Sequence, residues 1–154
     1  MVLSSNPTSQ GDIYNLNRFV FAQERVYARA LSELQNGQKR SHWMWFIFPQ
    51  LIGLGKSARS VKYALSGLDE TRAYYHHPLL GKRLLECSKT VNQLEGVSIP
   101  EVFGYPDTHK FRSCMTLFRA LEEGDPVFQE NLDTFFEGKP DLRTLKILEK
   151  MNKN

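Results

Sequence analysis

Residues 108–124, THKFRSCMTLFRALEEG, decide the fold class. Phe111, Cys114, Met115, Phe118 and Leu121 fall three and four apart, so they line one face of a helix, and Gly124 stands just past it. The same pattern extends in both directions. Upstream, Leu16, Phe19, Val20, Gln23, Val26, Tyr27, Ala30, Leu31 and Leu34 track one face from Asn15 until Gly37. Ser57 to Ser66 reads as a helix closed by Gly67, and Asp69 can cap a short one running into His76 and His77. Pro78 starts a long helix through Leu94, with Gly96 beyond its end. Ser98 and Glu101, with Pro100 between, form a capping-box pattern that opens a single turn. Downstream, Asp125-Pro126 opens a helix through Phe135 and Phe136, and Asp141 opens the last. No Asn-Gly or Asp-Gly pair separates two alternating apolar runs, so strand signals are nearly absent. The sequence predicts an all-α fold, a single compact domain of about seven to nine short helices over 15–152, behind a flexible N-terminal segment at 1–14.

Composition agrees with that reading. The chain has 154 residues, 41% hydrophobic and 24% charged, which suits one globular core and excludes a disordered chain. The longest apolar run, Trp43 to Phe48, is far short of the roughly 20 residues of a membrane span. The N-terminus carries no positive charge followed by an apolar stretch, so no secretory signal is read there. Cys87 and Cys114 are too few and too isolated for a disulfide scaffold or a metal site, and a reducing, cytoplasmic location is expected. Lys and Arg are unevenly spread: residues 18–62 hold eight basic residues against Glu24 and Glu33. Such a segment suits an anionic partner or a solvated helix face. No RNP-like motif, zinc-finger spacing or basic tail points to nucleic acid.

Three groups of residues could carry chemistry. In the segment from Ser41 to Gln50, both tryptophans stand beside His42, and Pro49 stops a regular helix. Trp43, Phe46 and Ile47 read as core, whereas His42 and Gln50 must find partners or line a cavity. Gly53, Gly55 and Ser57 follow. Gly55-Lys56-Ser57 resembles the end of a P-loop, but that motif needs Gly where Gln50 stands, and the required parallel sheet is missing. A glycine-rich turn capped by Ser57 remains, which suits an anion or is a plain turn. The second group is His76-His77-Pro78 with Arg83, in which an imidazole acts as acid or base or satisfies a helix terminus. The third is Asp107, Lys110 and Ser113, at i, i+3 spacing along one helical strip, where an ion pair or a ligand contact fits.

These strings also resemble a known family, the domain of unknown function 1810 family of small, mainly α-helical proteins. The resemblance rests on Arg18-Phe19 with Ala22-Gln23, His42-Trp43-Met44-Trp45 with Phe48-Pro49-Gln50, and Gly53-Leu54-Gly55 with Ser57. It continues through Tyr74, His77-Pro78, Leu80-Gly81 and Arg83-Leu84 to Phe103-Gly104, Asp107, Lys110 and Ser113 to Phe118. Tyr75 departs from the Leu expected before the His-Pro pair. The resemblance implies a helical fold and no activity, cofactor or substrate.

The functional expectation is a cytoplasmic domain that binds a small anionic or nucleotide-like ligand, with action upon that ligand left open. Trp45, Gln50, Gly53, Gly55, Ser57, Arg83, Lys110 and Ser113 would hold it. His42 or His77 would serve as acid or base and Asp107 as the carboxylate, with no metal or cofactor. At least three of His42, His77, Asp107 and Lys110 are expected to share one partly open cavity with Trp45 or Gln50 in its wall. The alternative is a non-catalytic protein-interaction module, in which the same groups form a structural polar network.

Overall fold

A computed structural model of the chain describes residues 11–153. Ten helices occupy 61% of these residues, slightly more helices than expected, and none of the described residues forms a strand. They are α1 (Asn17–Glu24), α2 (Tyr27–Gln35), α3 (Met44–Ile47), α4 (Ala58–Lys62) and α5 (Leu68–His76), then α6 (Leu80–Asn92), α7 (Ile99–Phe103), α8 (Asp107–Arg119), α9 (Val127–Phe136) and α10 (Leu142–Asn152). Helix α8 is the central strut. It buries Phe111, Cys114, Met115, Leu117 and Phe118 and packs against α5, α7, α9 and α10. Helix α6 lies on the other side of α9 and also meets α2, α3 and α5. The Trp43–Phe48 segment enters the core between them: Trp43 and Phe48 are fully buried, and Phe48 makes edge contacts with Phe103 and Phe111. Burial of this many aromatic rings is the main favourable term in folding a chain of this size.

Local chemistry sets most helix ends. The Ser98 hydroxyl accepts from Glu101 N–H while the Glu101 carboxylate accepts from Ser98 N–H, a complete capping box. The carboxylate of Asp141 accepts from Thr144 N–H and Oγ1–H, and the Ser57 hydroxyl accepts from Ser60 N–H. Residues 11–14 of the N-terminal segment expected at 1–14 are described, and there Asp12 accepts from the N–H groups of Leu16 and Asn17 at the start of α1. The remainder of that segment, 1–10, lies outside the described residues.

Three boundaries differ from the expectation. The helix read from Asn15 to Gly37 is broken at Arg25–Val26 into α1 and α2. Both pieces keep one face inward, Phe19 and Gln23 then Ala30 and Leu34, so the apolar period runs straight through the break. The helix read from Ser57 to Ser66 ends at Lys62, because Leu65 N–H donates to Gln50 O and Leu65 O accepts from Ile52 N–H. A parallel bridge between Leu51 and Leu65 takes the place of the last helical turn. Asp69 lies inside the first turn of α5, where its charge suits the positive helix end, and Gly67 holds the cap position.

Candidate functional site

Helix α8, the Gln50–Ser60 turn and the start of α10 enclose a groove of about 420 Å³, lined by Gln50, Leu54, Gly55, Ser60, His109, Lys110, Ser113, Asp141 and Arg143, with Pro106 at one edge. The turn fits only because residue 55 is glycine: a Cβ there would come within 2.5 Å of the Ser60 Cβ and Oγ. Ser60 Oγ also accepts from the Ser57 hydroxyl (2.9 Å), which ties the turn to α4. Arg143 donates to Leu54 O (3.2 Å) and closes the far side.

Charge in the groove follows from one unequal trio. Asp107 pairs with Lys39 (2.8 Å) and with Lys110 (3.2 Å), so one carboxylate serves two ammonium groups. Lys39 is the buried partner, its side chain 8% exposed, and it donates to Ser41 O (2.6 Å) beside the Trp43 ring. Lys110 is the partner that faces the groove and keeps a surplus of positive charge. Its ammonium sits 4.9 Å from the centre of the half-buried Trp45 ring, and the Arg59 guanidinium sits 5.0 Å from the same centre.

Glu33 holds the segment that delivers Lys39. Its Oε1 accepts from Arg40 N–H (2.8 Å), Ser41 N–H (3.0 Å) and the Trp43 indole N–H (2.8 Å), and its Oε2 accepts from the Ser41 hydroxyl (2.6 Å). Burial pushes the carboxyl up, but these four bonds outweigh it and hold Glu33 at about 2.

The structure gathers some of the expected site residues and separates others. Gln50, Gly55, Lys110 and Ser113 line the groove; Trp45, Asp107 and Ser57 adjoin it through Lys110 and Ser60. Gly53 lies on the exposed turn at φ +100°, against Ile147 of α10. Three expected residues stand apart. His42 is exposed on the segment before α3 and does not line the groove. The Arg83 guanidinium covers the Tyr27 ring and donates to Gln23 Oε1 (3.3 Å). His77 lines a different depression, with Asp12, Leu16 and His76. Its Nδ1 accepts from the N–H groups of Leu79 (3.1 Å) and Leu80 (3.2 Å) at the start of α6. Burial also lowers its pKa, against a smaller opposing pull from Asp12. The expected meeting of three among His42, His77, Asp107 and Lys110 therefore does not occur: Asp107 and Lys110 meet and the imidazoles do not. The reason is that His77 is spent as a helix cap, as the structural reading of that residue allowed.

Sequence reasoning missed His109, Ser60, Asp141 and Arg143. His109 adjoins Lys110, and at one residue along a helix it still reaches the same groove; Arg143 comes from α10 and carried no signal of its own. Cysteine chemistry finds no support: both thiols are free and buried, burial raises both pKa values, and Cys87 is pushed up to about 12. Among the described residues no group of three or more His, Cys, Asp or Glu is placed to hold a metal ion, and no helix is long and apolar enough to cross a membrane.

Fold and groove together define a small all-α domain with a cationic, polar groove beside its central helix. The chain belongs to the family described as "Protein of unknown function (DUF1810)", whose profile matches residues 13–148. It is also similar to a solved structure, that of the conserved hypothetical protein Rv1873 from Mycobacterium tuberculosis. The two are 48% identical, with a TM-score of 0.87 over 88% of this chain and 97% of that one. No curated protein matches the chain.

Proposed function

We propose that this chain is a cytoplasmic small-molecule-binding domain whose groove along α8 takes a small anionic ligand. The observation that supports the reading is the Lys39–Asp107–Lys110 trio, in which one carboxylate serves two ammonium groups, so that a net positive charge stays with the trio and Lys110 presents it to the groove. Arg143 adds a second cation to the wall, and Gln50, Ser60 and Ser113 add neutral hydrogen-bonding groups. A groove of about 420 Å³ is in the range of small-molecule sites. Two free, buried thiols accord with a reducing compartment. Neither imidazole expected to act as acid or base lines this groove, so the reading is one of binding.

Calorimetric titration with inorganic phosphate tests it. Binding should be measurable in the wild type and lost in Lys110→Ala. That variant should keep its melting temperature within a few degrees, because a partly exposed ion pair contributes little to stability. A lowered melting temperature with unchanged phosphate binding would favour the second reading, an interaction module with a structural polar network. That reading has its own support: His77, Arg83 and Glu33 are all occupied within the protein.

A further inference from the structure

The groove's wall says more about the ligand than its charge. A site for a nucleotide needs an aromatic or otherwise flat surface for the base, as well as cations for the phosphate. This groove has neither tryptophan nor tyrosine nor phenylalanine among its lining residues. Trp45 is the ring closest in chemistry to that task, and the Lys110 ammonium and Arg59 guanidinium already lie against it. A base stacking there would compete with these two protein cations for the ring. His109 is the one lining residue with an aromatic ring, and that ring already makes a tilted contact with Tyr105 at 5.1 Å between ring centres.

What the wall offers instead is a mixture of donors and acceptors. Lys110 has two N–H groups beyond the one facing Asp107, and Arg143 has four beyond the one given to Leu54 O. The Gln50 side-chain amide makes no hydrogen bond to any described residue and supplies both a donor and an acceptor. Ser113 Oγ gives its proton to His109 O and keeps lone pairs for a ligand hydroxyl. Asp141 brings a carboxylate whose Oδ2 is bound to Thr144 while Oδ1 is open to a further donor. A carboxylate and a fully ionised phosphate ester only accept. The Asp141 carboxylate, the Gln50 side-chain carbonyl and the Ser113 oxygen, whose proton is already given to His109 O, need donors that such groups lack and that hydroxyl groups, which both donate and accept, supply.

We infer that the groove along α8 recognises a small hydroxyl-bearing anion of the sugar-phosphate or polyol-phosphate class, with Lys110 and Arg143 on the phosphate and Gln50, Ser113 and Asp141 on the hydroxyls, and that it does not recognise a base. This rests on the reading of the groove as an anion site and narrows it.

Three probes separate the parts: inorganic phosphate, ribose 5-phosphate and AMP, titrated calorimetrically into the full chain. AMP is ribose 5-phosphate with a base attached. Ribose 5-phosphate should bind at least about tenfold more tightly than phosphate, and AMP no more tightly than ribose 5-phosphate. Gln50→Leu should cost ribose 5-phosphate more affinity than it costs phosphate, so that most of the gain of the sugar phosphate over phosphate is lost. AMP binding about tenfold more tightly than ribose 5-phosphate would overturn the inference and leave the anion site standing. Equal affinity for phosphate and ribose 5-phosphate would do the same. Absence of binding by all three at millimolar concentration would overturn the anion site itself.

Discussion

Replacing Glu33 by glutamine tests whether a buried carboxylate organises the approach to the groove. Glutamine keeps an oxygen for the N–H groups of Arg40, Ser41 and Trp43, but it loses the charge, and its amide turns a donor toward the Ser41 hydroxyl. Glu33 is held at about 2 against an ordinary value of 4.5. At about 1.4 kcal/mol per pKa unit this gap corresponds to about 3 kcal/mol of stability at neutral pH. The sign follows from the lowered folded-state pKa. Below about 4.5 the unfolded chain takes up the proton first, so the contribution is complete at neutral pH and fades between about 4.5 and about 2. Urea unfolding of wild type and Glu33→Gln at pH 7 should therefore differ by about 2–3 kcal/mol, allowing for the neutral hydrogen bonds that glutamine retains. At pH 3 about 2 kcal/mol of that difference should have gone. A difference that stays constant from pH 7 to pH 3, or one below about 0.5 kcal/mol at pH 7, would refute the account. Glu33→Ala should cost more, about 3–5 kcal/mol, because the fully buried Trp43 indole N–H would lose its acceptor.

Three further outcomes are expected. His77→Ala removes the acceptor for two N–H groups at the start of α6 and should lower stability by about 1 kcal/mol in chemical unfolding. In the wild type the lowered His77 pKa means that protonation disfavours the fold, so this stabilisation should decline as pH falls below about 6.5, and the alanine variant should lack that decline. Gly81→Ala would place a Cβ 1.9 Å from the Tyr75 carbonyl oxygen, so thermal melts should show a loss of several kcal/mol, about 3 or more, or no folded protein. Lys39→Met hands the whole of Asp107 to Lys110, and phosphate affinity measured by calorimetry should fall even though Lys39 does not line the groove.

The helices were legible because amphipathic period and cap chemistry are local. Phe111 to Phe118 on α8, the Ser98–Glu101 box and the Asp141 cap all stand where the residues placed them. The break at Arg25–Val26 was not legible, since a kink that preserves the buried face leaves the apolar period intact. Nor was the early end of α4, which depends on Leu65 pairing with Gln50 and Ile52. His77 shows the same limit from the functional side. An imidazole next to a proline looks the same in sequence whether its Nδ1 faces a ligand or two backbone N–H groups, and only the turn into α6 decides.

The basic segment at 18–62 carries the clearest lesson about charge. Its excess suggested an anionic partner, yet two of its eight cations, Arg18 and Lys39, are paired with carboxylates inside the protein. Arg18 is bound to Glu70 (2.9 Å) and to four backbone carbonyls, those of Tyr14, Asn15, Lys62 and Ala64. Lys39 is bound to Asp107 and Ser41. The cations that line the groove, Lys110 and Arg143, come from outside the segment, and from that segment Arg59 approaches through Trp45. A local surplus of lysine and arginine therefore does not coincide with the groove. The feature on which the proposed site rests is instead a carboxylate shared between two ammonium groups of unequal burial, Lys39 at 2.8 Å and Lys110 at 3.2 Å. Lys39 bears on the charge of Lys110 through Asp107 without lining the groove, an arrangement that a count of charges along the chain does not reveal.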